Sequence, residues 1–422
     1  MDKYVIQGGQ LLRGTIAAQG SKNACLPMIA AALLADGATT LRNVPRLADI
    51  ETMAAVLRAL GATVAWKGPG VLAVDTRGVH SYVAPYDLVR RMRASVAVLG
   101  PLVGRFRRAE VSLPGGCAFG PRPVDLHIKA MRELGAVVDL RGGYIVAQAP
   151  ALKGKRVNLS GPAGPSRGAT ANLMMAAALA EGVTVIEDAA REPETVDLVN
   201  MLRAMGARID GAGTAEITVT GVDHLEACEY EVMRDQIEAA TYLLAGAITG
   251  GDVTVEGADA EYLSLFNEKL REAGVGVEVS DGGITVRGHL PVAPLEIRTG
   301  PFPAFPTDLQ PQMTALLALA AGRSVVVEGI YPDRFNHAPE LARLGAHLEV
   351  TPPTAVINGV HRLYGAYVMA SDLRAGAALV LAALAAEGDT NVRRIYHIDR
   401  GYERMEDKLA ALGALIRRVE EA

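Results

Sequence analysis

Apolar residues fall into two kinds of stretch along this chain. Over Ile50 to Leu60 and Thr195 to Met205 they recur three and four positions apart, which predicts helices with one buried face. Over Ala169 to Ala180 and Ile237 to Ile248 they fill almost every position, and a helix of that kind is enclosed on all sides. The amphipathic stretches close on one phrase: Leu60-Gly61-Ala62, Leu134-Gly135-Ala136, Met205-Gly206-Ala207, Ala273-Gly274-Val275, Leu344-Gly345-Ala346 and Leu412-Gly413-Ala414, at intervals of about 70 residues. A β-rich stretch follows each phrase. Most phrases are preceded by a strand entry built around Gly, such as Gly182-Val183-Thr184-Val185 or Gly251-Asp252-Val253-Thr254-Val255. Gly at the centre of the phrase fits a helix end that turns through positive φ, a conformation other residues resist.

Such self-similarity constrains architecture before any chemistry is considered. The period exceeds that of ordinary solenoids, so each copy reads as a small α/β unit of strand, helix, strand and helix. Six units divide naturally into two globules of three, with sheets outside and the wholly apolar helices inside. The boundary is expected after the third unit, near Glu229-Tyr230-Glu231-Val232, and the opening strand Tyr4-Val5-Ile6 can pair with either globule. A cleft between the globules is the expected place for a small ligand. Segments that break the repeat are then the candidates for chemistry.

A length of 422 residues agrees with two domains, and 50% hydrophobic with 21% charged residues describes a well-packed globular chain. Aromatics are only 5%, so the interior is built from small aliphatic side chains. The apolar runs Leu26 to Ala35 and Ala375 to Ala386 are far shorter than the roughly 20 residues that span a bilayer. The opening segment is strand-like and lacks the apolar core of a signal peptide. Cys25, Cys117 and Cys228 are widely spaced, which suggests free thiols in a reducing cytoplasm. A net charge of −5 gives no reason to expect nucleic acid, although Arg90, Arg91, Arg93, Arg105, Arg107, Arg108 and Arg122 cluster locally. The eight His show no metal-ligand spacing, and nucleotide-binding glycine motifs are absent.

The segment Pro114-Gly115-Gly116-Cys117-Ala118-Phe119-Gly120-Pro121-Arg122-Pro123-Val124-Asp125-Leu126-His127 is the least scaffold-like. Its glycines and prolines predict a loop with an exposed thiol, and Arg122 favours the thiolate. Cys117 is a candidate nucleophile or acid, set against an incidental loop cysteine. Lys22, within Gly20-Ser21-Lys22-Asn23-Ala24, sits at the start of an apolar helix where backbone N–H groups favour anions. Ser21 or Asn23 serves equally as a simple cap there. Asp308, in Pro303-Ala304-Phe305-Pro306-Thr307-Asp308-Leu309-Gln310, is either a helix cap or a general base, and spacing alone favours the cap. Arg374 and Arg400 each stand near a helix start beside Asp372 and Asp399. They form an anion site, or they are surface ion pairs next to capping carboxylates.

Together these segments closely resemble the enolpyruvyl transferases, from Tyr4-Val5-Ile6-Gln7-Gly8-Gly9 to His397-Ile398-Asp399-Arg400-Gly401-Tyr402-Glu403, with Met92-Arg93-Ala94-Ser95 and Ser371-Asp372-Leu373-Arg374-Ala375 among the matching motifs. The resemblance implies an α/β fold: a two-domain inside-out α/β barrel built from six repeats, three per domain, with the active site in the inter-domain cleft. Residues 22–231 would form the domain with the Cys loop, and residues 1–21 plus 232–422 the domain with Asp308 and Arg400. The implied reaction moves the enolpyruvyl group of phosphoenolpyruvate to the 3′-hydroxyl of UDP-N-acetylglucosamine and releases phosphate, the first committed step of bacterial peptidoglycan synthesis. No cofactor is implied. By resemblance Lys22, Arg122 and Arg400 hold the anionic substrate, with Arg374 a further cation, Cys117 supplies the proton or the nucleophile, and Asp308 is the base. Asn23, Arg93, the run Arg122-Pro123-Val124-Asp125-Leu126, Asp308 and Ile330 match positions that hold the UDP-sugar. Two residues depart from the pattern: Gln236 stands where Arg is usual, and Arg167 where a small apolar residue is common. The related enzymes that act on shikimate 3-phosphate share the fold but not the Cys loop or the RPVDLH run. A non-catalytic repeat protein would not need Lys22, Cys117, Asp308 and Arg400 together.

Overall fold

A computed structural model of the chain describes residues 2–90, 92–113, 124–162 and 164–420. These form two compact units: a continuous one, Gly20–Met233, and a discontinuous one, Met1–Gln19 with Arg234–Ala422. Each has its own hydrophobic core.

In the continuous unit, Glu229–Glu231 runs parallel to Ala38–Arg42, which pairs antiparallel with Val71–Asp75, and that strand pairs in turn with Thr63–Gly68. The same order recurs in Val83–Ala84, Arg108–Ser112, Tyr144–Gln148 and Val137–Arg141. It recurs again in Arg156–Asn158, Val183–Glu187, Glu216–Thr220 and Arg208–Asp210. In the discontinuous unit it is repeated by Arg13–Ala17, Asp252–Glu256, Gly283–Arg287 and Gly276–Ser280, and by Glu296–Arg298, Arg323–Val327, Thr354–Asn358 and His347–Thr351. The last sheet of that unit is made from both ends of the chain. Asp2–Gln7 lies between Asp389–Arg393 and Leu415–Glu420, and Tyr367–Met369 forms the edge. Among the described residues no sheet closes on itself, and the architecture is mixed α/β.

The β-rich stretch after each of the first five phrases is a hairpin and each repeated sheet has four strands, so the expected strand–helix–strand–helix unit holds two strands too few. Gly and Pro at the tips make these reversals easy, as at Gly142-Gly143 and Asp281-Gly282-Gly283. The glycine of every phrase has positive φ, from +87° at Gly274 to +103° at Gly61. The left-handed helix ends expected from the sequence are therefore present.

The apolar helices are enclosed as their composition requires. Residues 237–248 are buried throughout, and Ala169–Ala180 is buried with the helix itself ending at Ala177. Small side chains let the helices approach closely. A Cβ added at Gly100 would lie 2.3 Å from the Asn172 carbonyl oxygen, so Leu99–Phe106 meets Arg167–Ala177 backbone to backbone. Asn172, fully buried, joins this contact: its Oδ1 accepts from the Gly100 N–H at 2.6 Å, and its Nδ2 donates to the Val96 carbonyl and to His127 Nδ1 at 3.1 and 2.8 Å. No described helix is long and apolar enough to cross a membrane.

Candidate active site

Asp308 lies in the discontinuous unit, in the 3-10 turn Thr307–Leu309 that leads into the helix Gln310–Leu317. The spacing argument made it a cap, and the structure corrects this: no side chain caps that turn or the helix. Its carboxylate instead faces two guanidinium groups. Oδ1 accepts from Arg334 Nη1 at 2.8 Å, and Oδ2 from Arg374 Nη2 at 2.9 Å. The arginine side chains are 5% and 4% exposed, and that of Asp308 is 25% exposed. Arg374 is thus no surface ion pair. Burial works against its charge, but Asp308 beside it holds the guanidinium proton more firmly than usual. Asp372 does cap its helix, accepting from the N–H groups of Arg374 and Ala375, both at 3.0 Å. Asp399 caps nothing; it pairs with Arg418.

A buried carboxylate braces the surroundings. Glu328, 1% exposed, accepts from Thr299 Oγ1 and from the backbone N–H groups of Ile330 and Tyr331. Its other oxygen accepts from Thr307 Oγ1 at 3.0 Å, and Thr307 Oγ1 in turn accepts from Arg334 Nη1 at 2.9 Å. The Ile330 turn and Asp308 are therefore fixed by one side chain. Arg334 was not apparent from the sequence: an Arg in the turn after Tyr331-Pro332-Asp333 carries no pattern that sets it apart. His337, three residues on, is pushed down to about 3 by burial and by Arg334, and so stays neutral.

Arg400 ends the 3-10 turn Ile395–Arg400 and is half-buried. The segment after it is anchored by Gln19, whose Nε2 donates to the Gly401 carbonyl and whose Oε1 accepts from the Glu403 N–H, both at 3.0 Å. Gln236, at one departure from the pattern, spends its amide locally: Nε2 donates to the Gly257 carbonyl at 3.1 Å and Oε1 accepts from the Asp259 N–H at 2.7 Å.

In the continuous unit Lys22 is the first residue of the helix Lys22–Ala31, capped by Ser21, whose Oγ accepts from the Ala24 N–H at 3.3 Å. The Lys22 ammonium lies 3.6 Å from the Asp49 carboxylate, with side chains 12% and 6% exposed. Asn23 follows, half-buried. Arg93 opens the 3-10 turn Arg93–Val98. Val124 precedes the helix Asp125–Glu133, on which Asp125 is exposed and Leu126 half-buried. Arg167 reaches Glu194 at 3.4 Å. Cys117, Arg122 and Pro123 lie outside the described residues. Cys25 is fully buried in its helix, and burial pushes the Cys228 thiol up. Among the described residues no group of His, Cys, Asp and Glu is arranged to hold a metal ion.

Residues 6–409 match the family model of EPSP synthase (3-phosphoshikimate 1-carboxyvinyltransferase). The chain belongs to this family of enolpyruvyl transferases. Within it, the enzyme is 53% identical to the UDP-N-acetylglucosamine 1-carboxyvinyltransferase of Dinoroseobacter shibae, with all of both chains covered. It is 52% identical to the enzyme of the same name from Myxococcus xanthus, over 99% of each chain. Among solved structures it is similar to the enolpyruvyl transferase NikO from Streptomyces tendae, with 28% identity, a TM-score of 0.89, and 100% and 99% of the two chains covered. EPSP synthase from Acinetobacter baumannii, 19% identical with a TM-score of 0.76 over all of both chains, shares the fold. The sequence-based resemblance to enolpyruvyl transferases thus holds over the whole length of the chain.

Proposed function

We propose that this enzyme transfers the enolpyruvyl group of phosphoenolpyruvate to the 3′-hydroxyl of UDP-N-acetylglucosamine, as a cytoplasmic step of peptidoglycan synthesis. Full-length identity above one half to enzymes of that name carries the reading. The reaction is an addition followed by an elimination. A proton is delivered to C3 of the enol, the sugar oxygen bonds to C2, and its hydroxyl proton goes to a base. The C2–O bond to phosphate then breaks while C3 gives up a proton, which restores the double bond and releases phosphate.

Asp308 is suited to the role of base. Two of its acceptor positions are taken by Arg334 and Arg374, which fix the carboxylate plane. An ionised carboxylate has no proton of its own to give and is a proton acceptor by nature. Arg374 holds its own proton too firmly to act as the acid. That role falls to Cys117, which can also capture the activated C2 as a covalent phospholactoyl adduct. Lys22, Arg122 and Arg400 answer the phosphate and carboxylate of phosphoenolpyruvate. Asn23, Arg93, Arg122, Pro123, Val124, Asp125, Leu126 and Ile330 answer the UDP-sugar. The bracing of the Ile330 turn by Glu328 supports its inclusion.

The assignment draws Lys22 and the Cys loop from residues 22–231, and Asp308, Arg374 and Arg400 from residues 1–21 plus 232–422. Three sheets of identical strand order in each unit support a six-repeat, inside-out barrel pair. Phosphate release from phosphoenolpyruvate, assayed separately with UDP-N-acetylglucosamine and shikimate 3-phosphate, tests the function. Release with the first alone is expected. Release only with the second, or with neither, would overturn it.

A further inference from the structure

Tyr402 follows the Arg400-Gly401 pair and is 1% exposed, so its hydroxyl needs partners inside the discontinuous unit. It has three. Thr241 Oγ1 lies at 2.9 Å, and Arg374 Nη1 and Gln312 Nε2 both lie at 3.3 Å. The direction of each bond follows from proton supply. Thr241 donates its own hydroxyl proton to the Ile237 carbonyl at 2.8 Å, so it accepts from Tyr402. Guanidinium and amide nitrogens only donate, so the phenol oxygen accepts from Arg374 and from Gln312.

Those two donors converge on one residue. Arg374 clamps the Asp308 carboxylate through Nη2, and Gln312 Nε2 also donates to the Asp308 backbone carbonyl at 3.0 Å. Gln312 and Thr241 are fully buried, and the Arg374 side chain is 4% exposed, so water does not readily replace the phenol. We propose that Tyr402 is a positioning residue: its hydroxyl, oriented by Thr241, locks the guanidinium and the amide that hold the side chain and the main chain of Asp308. The role rests on Asp308 being the base.

Tyr402→Phe keeps the ring and its volume but takes the phenol acceptor from Arg374 Nη1 and from Gln312 Nε2, which keeps the Asp308 carbonyl at 3.0 Å and Thr241 Oγ1 at 3.4 Å. The expected result is a fall in kcat of about 10- to 100-fold with the KM of both substrates nearly unchanged. Thr241→Val, which removes the group that orients the phenol, should fall in the same direction, whereas Thr241→Ser should keep kcat near that of the parent enzyme. These Thr241 variants also serve if Tyr402→Phe does not fold. In an Asp308→Asn background, Tyr402→Phe should lower the residual rate no further. Undiminished kcat in Tyr402→Phe, or a loss that adds in full to that of Asp308→Asn, would overturn the proposal while leaving Asp308 as the base. Full turnover by Asp308→Asn would remove the base assignment, and the positioning role with it.

Discussion

Glu238 offers a sharp test of the electrostatics of the discontinuous unit. Its carboxylate is fully buried on the helix Gln236–Ile248. One oxygen accepts from Lys408 Nζ at 2.8 Å, and the other from the Gln19 backbone N–H at 2.6 Å. Burial is the largest influence and pushes the carboxyl up to about 7 from 4.5; Lys408 and the Gln19 N–H oppose the rise, and Asp235 adds to it. Across that window the folded chain retains a proton that the unfolded chain has released. The stabilisation from the neutral form is complete below 4.5 and is lost as pH rises through about 7. The full shift corresponds to at most about 3 kcal/mol, or a Tm change of roughly 6–12 °C for a unit of this size. Scanning calorimetry of the parent enzyme and of Glu238→Gln at several pH values between about 4.5 and 8 isolates the contribution of this carboxyl. The neutral amide cannot titrate, so the parent Tm should fall relative to that of Glu238→Gln as pH rises. The absolute stability of the variant is a poor guide, because it also replaces the carboxylate facing Lys408 with a neutral amide. Parallel Tm profiles would show that Glu238 keeps its charge throughout, and the burial argument would be wrong.

Other expectations concern the proposed site. Arg374→Met leaves Asp308 with one clamp and should lower phosphate release more than 100-fold, since breaking one side of a buried ion pair costs about 3 kcal/mol or more; a loss under about tenfold would argue against the clamp. Glu328→Gln keeps the shape but weakens the anchor of Ile330, Tyr331 and Thr307. It should raise the KM for UDP-N-acetylglucosamine several-fold, about the effect of one weakened charge-assisted hydrogen bond, and an unchanged KM would detach that turn from sugar binding. Fosfomycin, an epoxide carrying a phosphonate, should alkylate Cys117 and spare Cys25 and Cys228. Cys25 is enclosed, and burial disfavours the Cys228 thiolate. Peptide mapping that found the label mainly on either of those would displace Cys117 from its role.

What the chain reveals before folding depends on how local the cause is. The phrase glycines are a local matter, since positive φ at a helix end excludes most side chains, and all six take it. Helices such as 237–248 were equally legible, because a segment apolar on every side has only the interior to go to. Hairpins were not, since periodicity marks a strand without saying whether the chain then doubles back. Asp308 shows the limit for sites. Its local sequence is that of a cap, and its actual partners, Arg334 and Arg374, come from other turns of the fold. The family motifs supplied Asp308 and Arg374, whereas Arg334, Glu328 and Tyr402 emerge only when side chains distant in sequence are brought within hydrogen-bond reach.

The sheet shared by the two chain ends has a consequence for synthesis. Asp2–Gln7 leaves the ribosome well before its neighbours Asp389–Arg393 and Leu415–Glu420 are translated. At ordinary elongation rates that strand waits about 20–80 s with both edges unpaired. Gly20–Met233 has every strand of its own sheets in hand long before, so it can fold while the rest is being made. A nascent chain stalled or truncated before Leu415 would therefore present one finished unit beside a strand, Asp2–Gln7, with one edge still unpaired. Such a product should be a client for chaperones and a target for proteases, and deletion of Leu415–Glu420 should be far more damaging to yield than the partial exposure of that strand suggests.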